Sequence, residues 1–129
     1  MSSIQRPLSG DVLVLDLKDE RDRVAGSAAG EPRAHTARTL LKNGPLRVTL
    51  VVLAPGGVIP EHQADGPITV QPLEGRIRFT AAGRVHELGP GQLLSAGPGV
   101  RHAVASDGGA AFLLTVVRPE AADEPQPAG

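Results

Sequence analysis

The chain has 129 residues, a formal net charge of −1 and 40% hydrophobic residues, of which only Phe79 and Phe112 are aromatic. That length suits one domain with its own core, and a charge so near zero offers no electrostatic reason to seek DNA or an anionic membrane. With no Trp or Tyr there is no stacking platform for single-stranded nucleic acid, and with no Cys there are no disulfides, thiolate metal sites or cysteine nucleophiles.

The N-terminal stretch MSSIQRPLSG lacks the apolar core of a signal peptide. No apolar run approaches the roughly 18 residues of a membrane span, so a cytoplasmic protein is expected. DVLVLDL (11–17) alternates and predicts a first strand. Residues 18–34 mix charges of both signs with Gly and Ala, and read as an exposed excursion with one short helical turn.

Strands are predicted next at 38–42 and 46–53, joined by a turn at Asn43-Gly44-Pro45. The second becomes apolar on both faces at Val51-Val52-Leu53, which predicts cover from another subunit or another part of the chain. After the break APGG (54–57) come six further strands, at 68–73, 76–81, 84–88, 92–96, 101–106 and 110–117. Glycine and proline separate them, the punctuation of an all-β sandwich or barrel. The tail 119–129 has no large apolar residue and is expected to be disordered. The chain thus divides into 1–37 (N-terminal strand and excursion), 38–118 (barrel) and 119–129 (tail).

Of four histidines, His35 falls in the polar approach to a strand and is expected to be exposed, and His86 falls in a strand whose apolar face excludes it, so it is expected to face solvent or an interface. His62 and His102 each follow a glycine-rich break, a position that places a side chain at a barrel mouth. Spacing sets them apart further. Gly56, His62 and Gly75 form one series, and Gly91, Gly99 and His102 a second, separated by fifteen residues that hold one hairpin.

Residues 56–75 and 91–106 resemble the two motifs of the RmlC-like cupin superfamily, and the likeness extends over about 38–118. It implies an all-β fold, a double-stranded β-helix or jelly-roll barrel with little helix. It also implies a small single-domain protein that forms a homodimer, through residues 11–17 and 51–53. Metal-binding cupins usually present three His and one Glu. Here Ala64 occupies the second histidine slot and Ile68 the glutamate slot, while Gly97 and Ser106 replace a proline and an asparagine of the second motif. The metal-binding motif is therefore depleted.

Two functions follow as expectations. In the first, a small molecule sits in a barrel lined by Ile59, Ile68, Val70, Ile77, Phe79, Leu94 and Val104, with His62 and His102 as its polar anchors. In the alternative, His62 and His102 hold a divalent transition metal (Fe, Mn, Ni, Cu or Zn) for dioxygenase, isomerase or decarboxylase chemistry. Gln71, Glu61 and Asp65 are the candidate third ligands. Strand parity turns Gln71 away from Ile68 and Val70 unless a bulge near Gly66-Pro67 reverses the phase. Acid–base catalysis by the two histidines without metal, as in cupin-like sugar epimerases, ranks third. No helix-turn-helix pattern fits in the remaining residues.

Overall fold

The computed structural model describes residues 6–27 and 35–118. Nine strands are present among them: β1 (His35–Asn43), β2 (Leu46–Leu53), β3 (Gly57–His62), β4 (Ile68–Gly75), β5 (Ile77–Ala81), β6 (Arg84–Leu88), β7 (Leu94–Ala96), β8 (His102–Ser106) and β9 (Ala110–Val117). They form two antiparallel sheets, in the orders β1-β2-β9-β4-β7 and β3-β8-β5-β6. This is the expected jelly roll. The expected tail, 119–129, lies outside the described residues.

Alternation decides which side chains meet between the sheets. Ile68 and Val70 from β4, Ile77 and Phe79 from β5, Val104 from β8 and Phe112 from β9 all turn inward and pack as one buried cluster. Ile59 and Leu94 pack against its edge. With only two aromatic rings available, aliphatic side chains fill most of the interior.

One strand escaped the sequence. β3, GVIPEH, has few apolar residues and carries Pro60, which reads as a breaker. It survives as an edge strand paired to β8, with a register irregularity between Ile59 and His62, where the proline lacks an N–H to donate. His62 therefore closes a strand instead of lying in a loop.

The N-terminal strand expected at 11–17 does not form. Residues 12–16 belong to no strand, and Val12 and Val14 are 82% and 91% exposed. The alternation is genuine, yet β1 already occupies that edge of the sheet, and Asp16 commits the chain to a helix. Its Oδ1 accepts a hydrogen bond from the Asp19 N–H at 3.0 Å, an N-cap that starts α1 (Leu17–Ser27). Asp19 and Glu20 follow in the first turn, where negative charge suits the helix dipole. A full helix thus replaces the single turn expected there.

Nor is that segment wholly exposed. Val24 of α1 joins Leu40, Leu50 and Ala111 in a second buried cluster on the outer face of the larger sheet, with Leu15, Leu17 and Val52 packed against it. The doubly apolar run at Val51-Val52-Leu53 is thereby covered from within the chain, Val51 and Leu53 inward and Val52 outward. Glu20, only 6% exposed, fastens the layer: its carboxylate accepts from Arg6 Nε at 3.1 Å and from Arg38 Nε at 2.9 Å. Arg6 also donates to the Leu40 carbonyl, and Arg21 pairs with Glu74. No helix among the described residues is long and apolar enough to cross a membrane.

Gly75, the last glycine of the first motif, has φ of +76°, and a Cβ there would run into the Gly109 carbonyl and lie 2.8 Å from the Ala110 Cα. Neither obstacle is a flexible side-chain end. Gly75→Ala is expected to destabilise the fold by at least about 2 kcal/mol in urea unfolding. A second expectation concerns Glu20. Burial alone pushes its carboxyl up, but the bonds and charges of Arg6 and Arg38 outweigh this and hold it below the usual range. The resulting stabilisation is present above the unfolded value of about 4.3 and fades as pH falls through the lower folded value. Glu20→Gln should cost about 1–3 kcal/mol at pH 7, because both arginines are partly exposed, and should flatten the acid limb of a stability–pH profile.

Candidate functional site

The pairing of β3 with β8 sets His62 directly across from His102. Their rings meet edge-on, with centroids 4.3 Å apart and planes at 68°, and the two Nε2 atoms stand 3.1 Å from each other. His102 is 4% exposed, and its other side stacks on Phe79 at 5.1 Å and 16°. His62 is exposed, so one imidazole faces solvent and the other the core.

Each ring is also held from behind. His62 Nδ1 lies 3.0 Å from the Pro60 carbonyl oxygen, and His102 Nδ1 lies 3.0 Å from that of Val100. A carbonyl only accepts, so these partners assign the proton to Nδ1 in both rings and leave both Nε2 atoms as lone-pair acceptors. Two lone pairs then face one another across 3.1 Å. A proton, a hydrogen-bond donor or a cation placed between them relieves that opposition. A separation of 3.1 Å would also let both nitrogens serve as ligands to one metal ion.

The remaining expected ligands do not join the pair. Gln71 is exposed on the face opposite Ile68 and Val70, as strand parity required, and sits across from Leu113 of the outer layer. Glu61 pairs with Arg101 at 3.4 Å, with both side chains 58% exposed. Asp65 is exposed. Ala64 packs against the inner core and Ile68 is buried within it. Among the described residues no three His, Cys, Asp or Glu side chains gather into a metal-sized group. Among the described residues, then, the site gathers two nitrogen donors and not the four-ligand set of metal-binding cupins.

Ile68, Val70 and Phe79, expected to line a ligand space, are packed core residues, and of the three Phe79 is the one in ring contact with a site histidine. His35 is exposed, as expected. His86 differs from expectation: it is half-buried, and its register opposite Phe79 puts it on the inner face of the smaller sheet. Val85, its apolar neighbour, is the residue that faces solvent, at 59% exposure. Counting outward from Phe79 along the hairpin, with its two-residue turn at Ala82-Gly83, would have revealed that phase.

His102 titrates below the ordinary histidine range. Burial is the main cause, a charge on His62 adds to it, and the bond to the Val100 carbonyl opposes it. A folded value lowered in this way stabilises the protein above the unfolded value of about 6.5, and the stabilisation is lost as pH falls through the folded value. The thermal midpoint is expected to drop between pH 7.5 and 5.5, and His102→Gln to remove part of that slope; an unchanged slope in the variant would refute the assignment.

A family profile described as a cupin domain matches residues 49–118. Among curated proteins none matches the sequence. Solved structures do. A conserved protein of unknown function, SPY1581 from Streptococcus pyogenes, is 28% identical with a TM-score of 0.68, covering 93% of this chain and 97% of its own. An RmlC-like cupin from Shewanella frigidimarina is 17% identical at a TM-score of 0.63, covering 67% and 78%. An oxalate decarboxylase variant from Bacillus subtilis is 21% identical at 0.62, covering 67% of this chain and only 26% of its own, a likeness of fold alone. Matched over more than half its length, and folded as the two motifs implied, the chain belongs to the cupin family.

Proposed function

We propose that this cupin is a small-ligand-binding protein, and that the ligand is held at the barrel opening by the Nε2 atoms of His62 and His102. One observation carries this reading: the two Nε2 atoms converge to 3.1 Å while both Nδ1 atoms are occupied by backbone carbonyls. The backbone bonds fix ring orientation in advance, so little side-chain entropy remains to be lost on binding. Both free nitrogens accept, which favours a ligand that brings a hydroxyl, an amine or another donor. Phe79 supports His102 from the inner side and leaves His62 as the solvent-facing partner.

The same spacing favours a second reading, in which the two nitrogens bind one divalent transition metal and water or ligand completes its shell. Ile68 in the carboxylate slot weighs against it, because no negative charge there offsets the ion.

Elemental analysis of protein expressed with added Fe, Mn, Ni, Cu or Zn separates the two. The first reading expects metal well below one equivalent, and a thermal-shift panel of uncharged sugars and polyols should yield hits that disappear in the His62→Ala/His102→Ala double variant. Hits that persist unchanged in that variant would overturn the role given to the pair. Stoichiometric metal, lost only in the double variant, would establish the second reading in place of the first.

A further inference from the structure

A second feature shares the opening without including either histidine. β3 ends at His62, β4 begins at Ile68, β8 begins at His102 and β9 ends at Val117, so all four strands meet the solvent at one end of the barrel. On the larger-sheet side of this end lies an open cleft of about 450 Å³, whose lining includes Lys42, Arg47, Arg118, Thr39, Thr49 and Asp65. Ala64, two residues beyond His62, and Val116 provide its apolar wall.

The charges there are unbalanced. Three cationic side chains face one carboxylate, that of Asp65. Arg6, Lys18, Arg21, Arg38, Arg78 and Arg101 all have carboxylate partners. Among the described residues, Lys42, Arg47 and Arg118 have none within ion-pairing distance, which is also true of Arg23, Arg76 and Arg84, but the first three line one cleft. Strand register brings the first two together, since Lys42 pairs with Arg47, and Arg47 with Val116 near the end of β9. Arg47 is half-buried, and its Nη1 donates to the carbonyls of Gly44 and Leu46, which restrains the guanidinium. Thr39 and Thr49, also cross-strand partners, add two hydroxyls. Concentrated like charge beside a low-dielectric wall attracts a counter-ion, and a guanidinium offers the planar fork that matches an oxyanion.

We propose that this cleft is an anion-recognition site, binding a small organic molecule through a carboxylate or phosphate group. Arg47 and Arg118 grip the oxyanion, Lys42 adds charge, and the hydroxyls of Thr39 and Thr49 donate to its remaining oxygens. The volume exceeds what one such group fills and falls in the range of small-molecule sites, so the rest of the ligand lies along Ala64 and Val116. This site stands on its own lining and does not depend on what the imidazole pair binds.

Calorimetric titration of the full-length protein with inorganic phosphate and, separately, with succinate tests it, each against sodium chloride at matched ionic strength. At least one of the two is expected to bind above the chloride control, and which one binds identifies the oxyanion. Arg47→Gln and Arg118→Gln should each weaken binding by roughly tenfold or more, as loss of a charge-assisted hydrogen bond does. Lys18→Gln, which removes an equal charge from an exposed position on α1, should leave it unchanged. Arg118 is exposed at the end of β9, so its variant keeps the test valid if Arg47→Gln disturbs the turn at Gly44. Failure of both anions to exceed chloride, or equal binding by wild type and the two arginine variants, would overturn the proposal.

Discussion

The ladder between β3 and β8 is the constraint on which the candidate site rests. It joins two segments whose histidines are forty residues apart and sets the pair directly opposite each other. Side chains at directly paired positions share a face, so once the register is chosen the imidazoles have to meet. The register is itself secured by inward-facing neighbours: Val104 of β8 lies in the inner core, and Ile59 packs against it. Slipping β8 by one residue would expose Val104 and bury the wrong face of the strand. The core therefore specifies the site, and through Phe79 it also supports one of the two rings.

The site that results is electrostatically unusual in a simple way. Most paired side chains in the molecule join a donor to an acceptor, as Arg78 does with Asp107 at 2.7 Å. His62 and His102 join two acceptors, because the backbone has claimed both Nδ1 protons. Burial keeps the inner ring reluctant to take a proton, and the outer ring is open to solvent. The pair is organised in advance of the ligand proposed for it, and preorganised polar groups of this kind are a general source of selectivity.

The larger sheet is covered differently on its two faces. Its inner face packs on the smaller sheet, while its outer face receives α1 and the segment leading into it. A helix of low mean hydropathy would gain little from packing alone, and the Glu20–Arg6–Arg38 cluster adds a polar fastening. That outer layer explains why β2 is apolar on both sides, a pattern that from the sequence pointed equally well to a partner subunit.

Much of the barrel was legible in the residues themselves. Strands β4 to β9 follow from short apolar runs cut by Gly and Pro, because period-two burial and turn geometry are local properties. The prominence of His62 and His102 came from motif spacing, and the outward phase of Gln71 from parity. Other features depended on which segment sits beside which. Residues 11–17 alternate like a strand, but β1 holds that edge, and the cap at Asp16 favours a helix. β3 looks like a loop because its pairing partner lies in a distant part of the chain. The face that His86 presents has the same origin, being decided by register with Phe79. The identity and spacing of the two imidazoles were thus determined by sequence. Their tautomers, their 3.1 Å separation and the gathering of Lys42, Arg47 and Arg118 at one cleft arise from contacts between distant segments, and only the folded chain decides them.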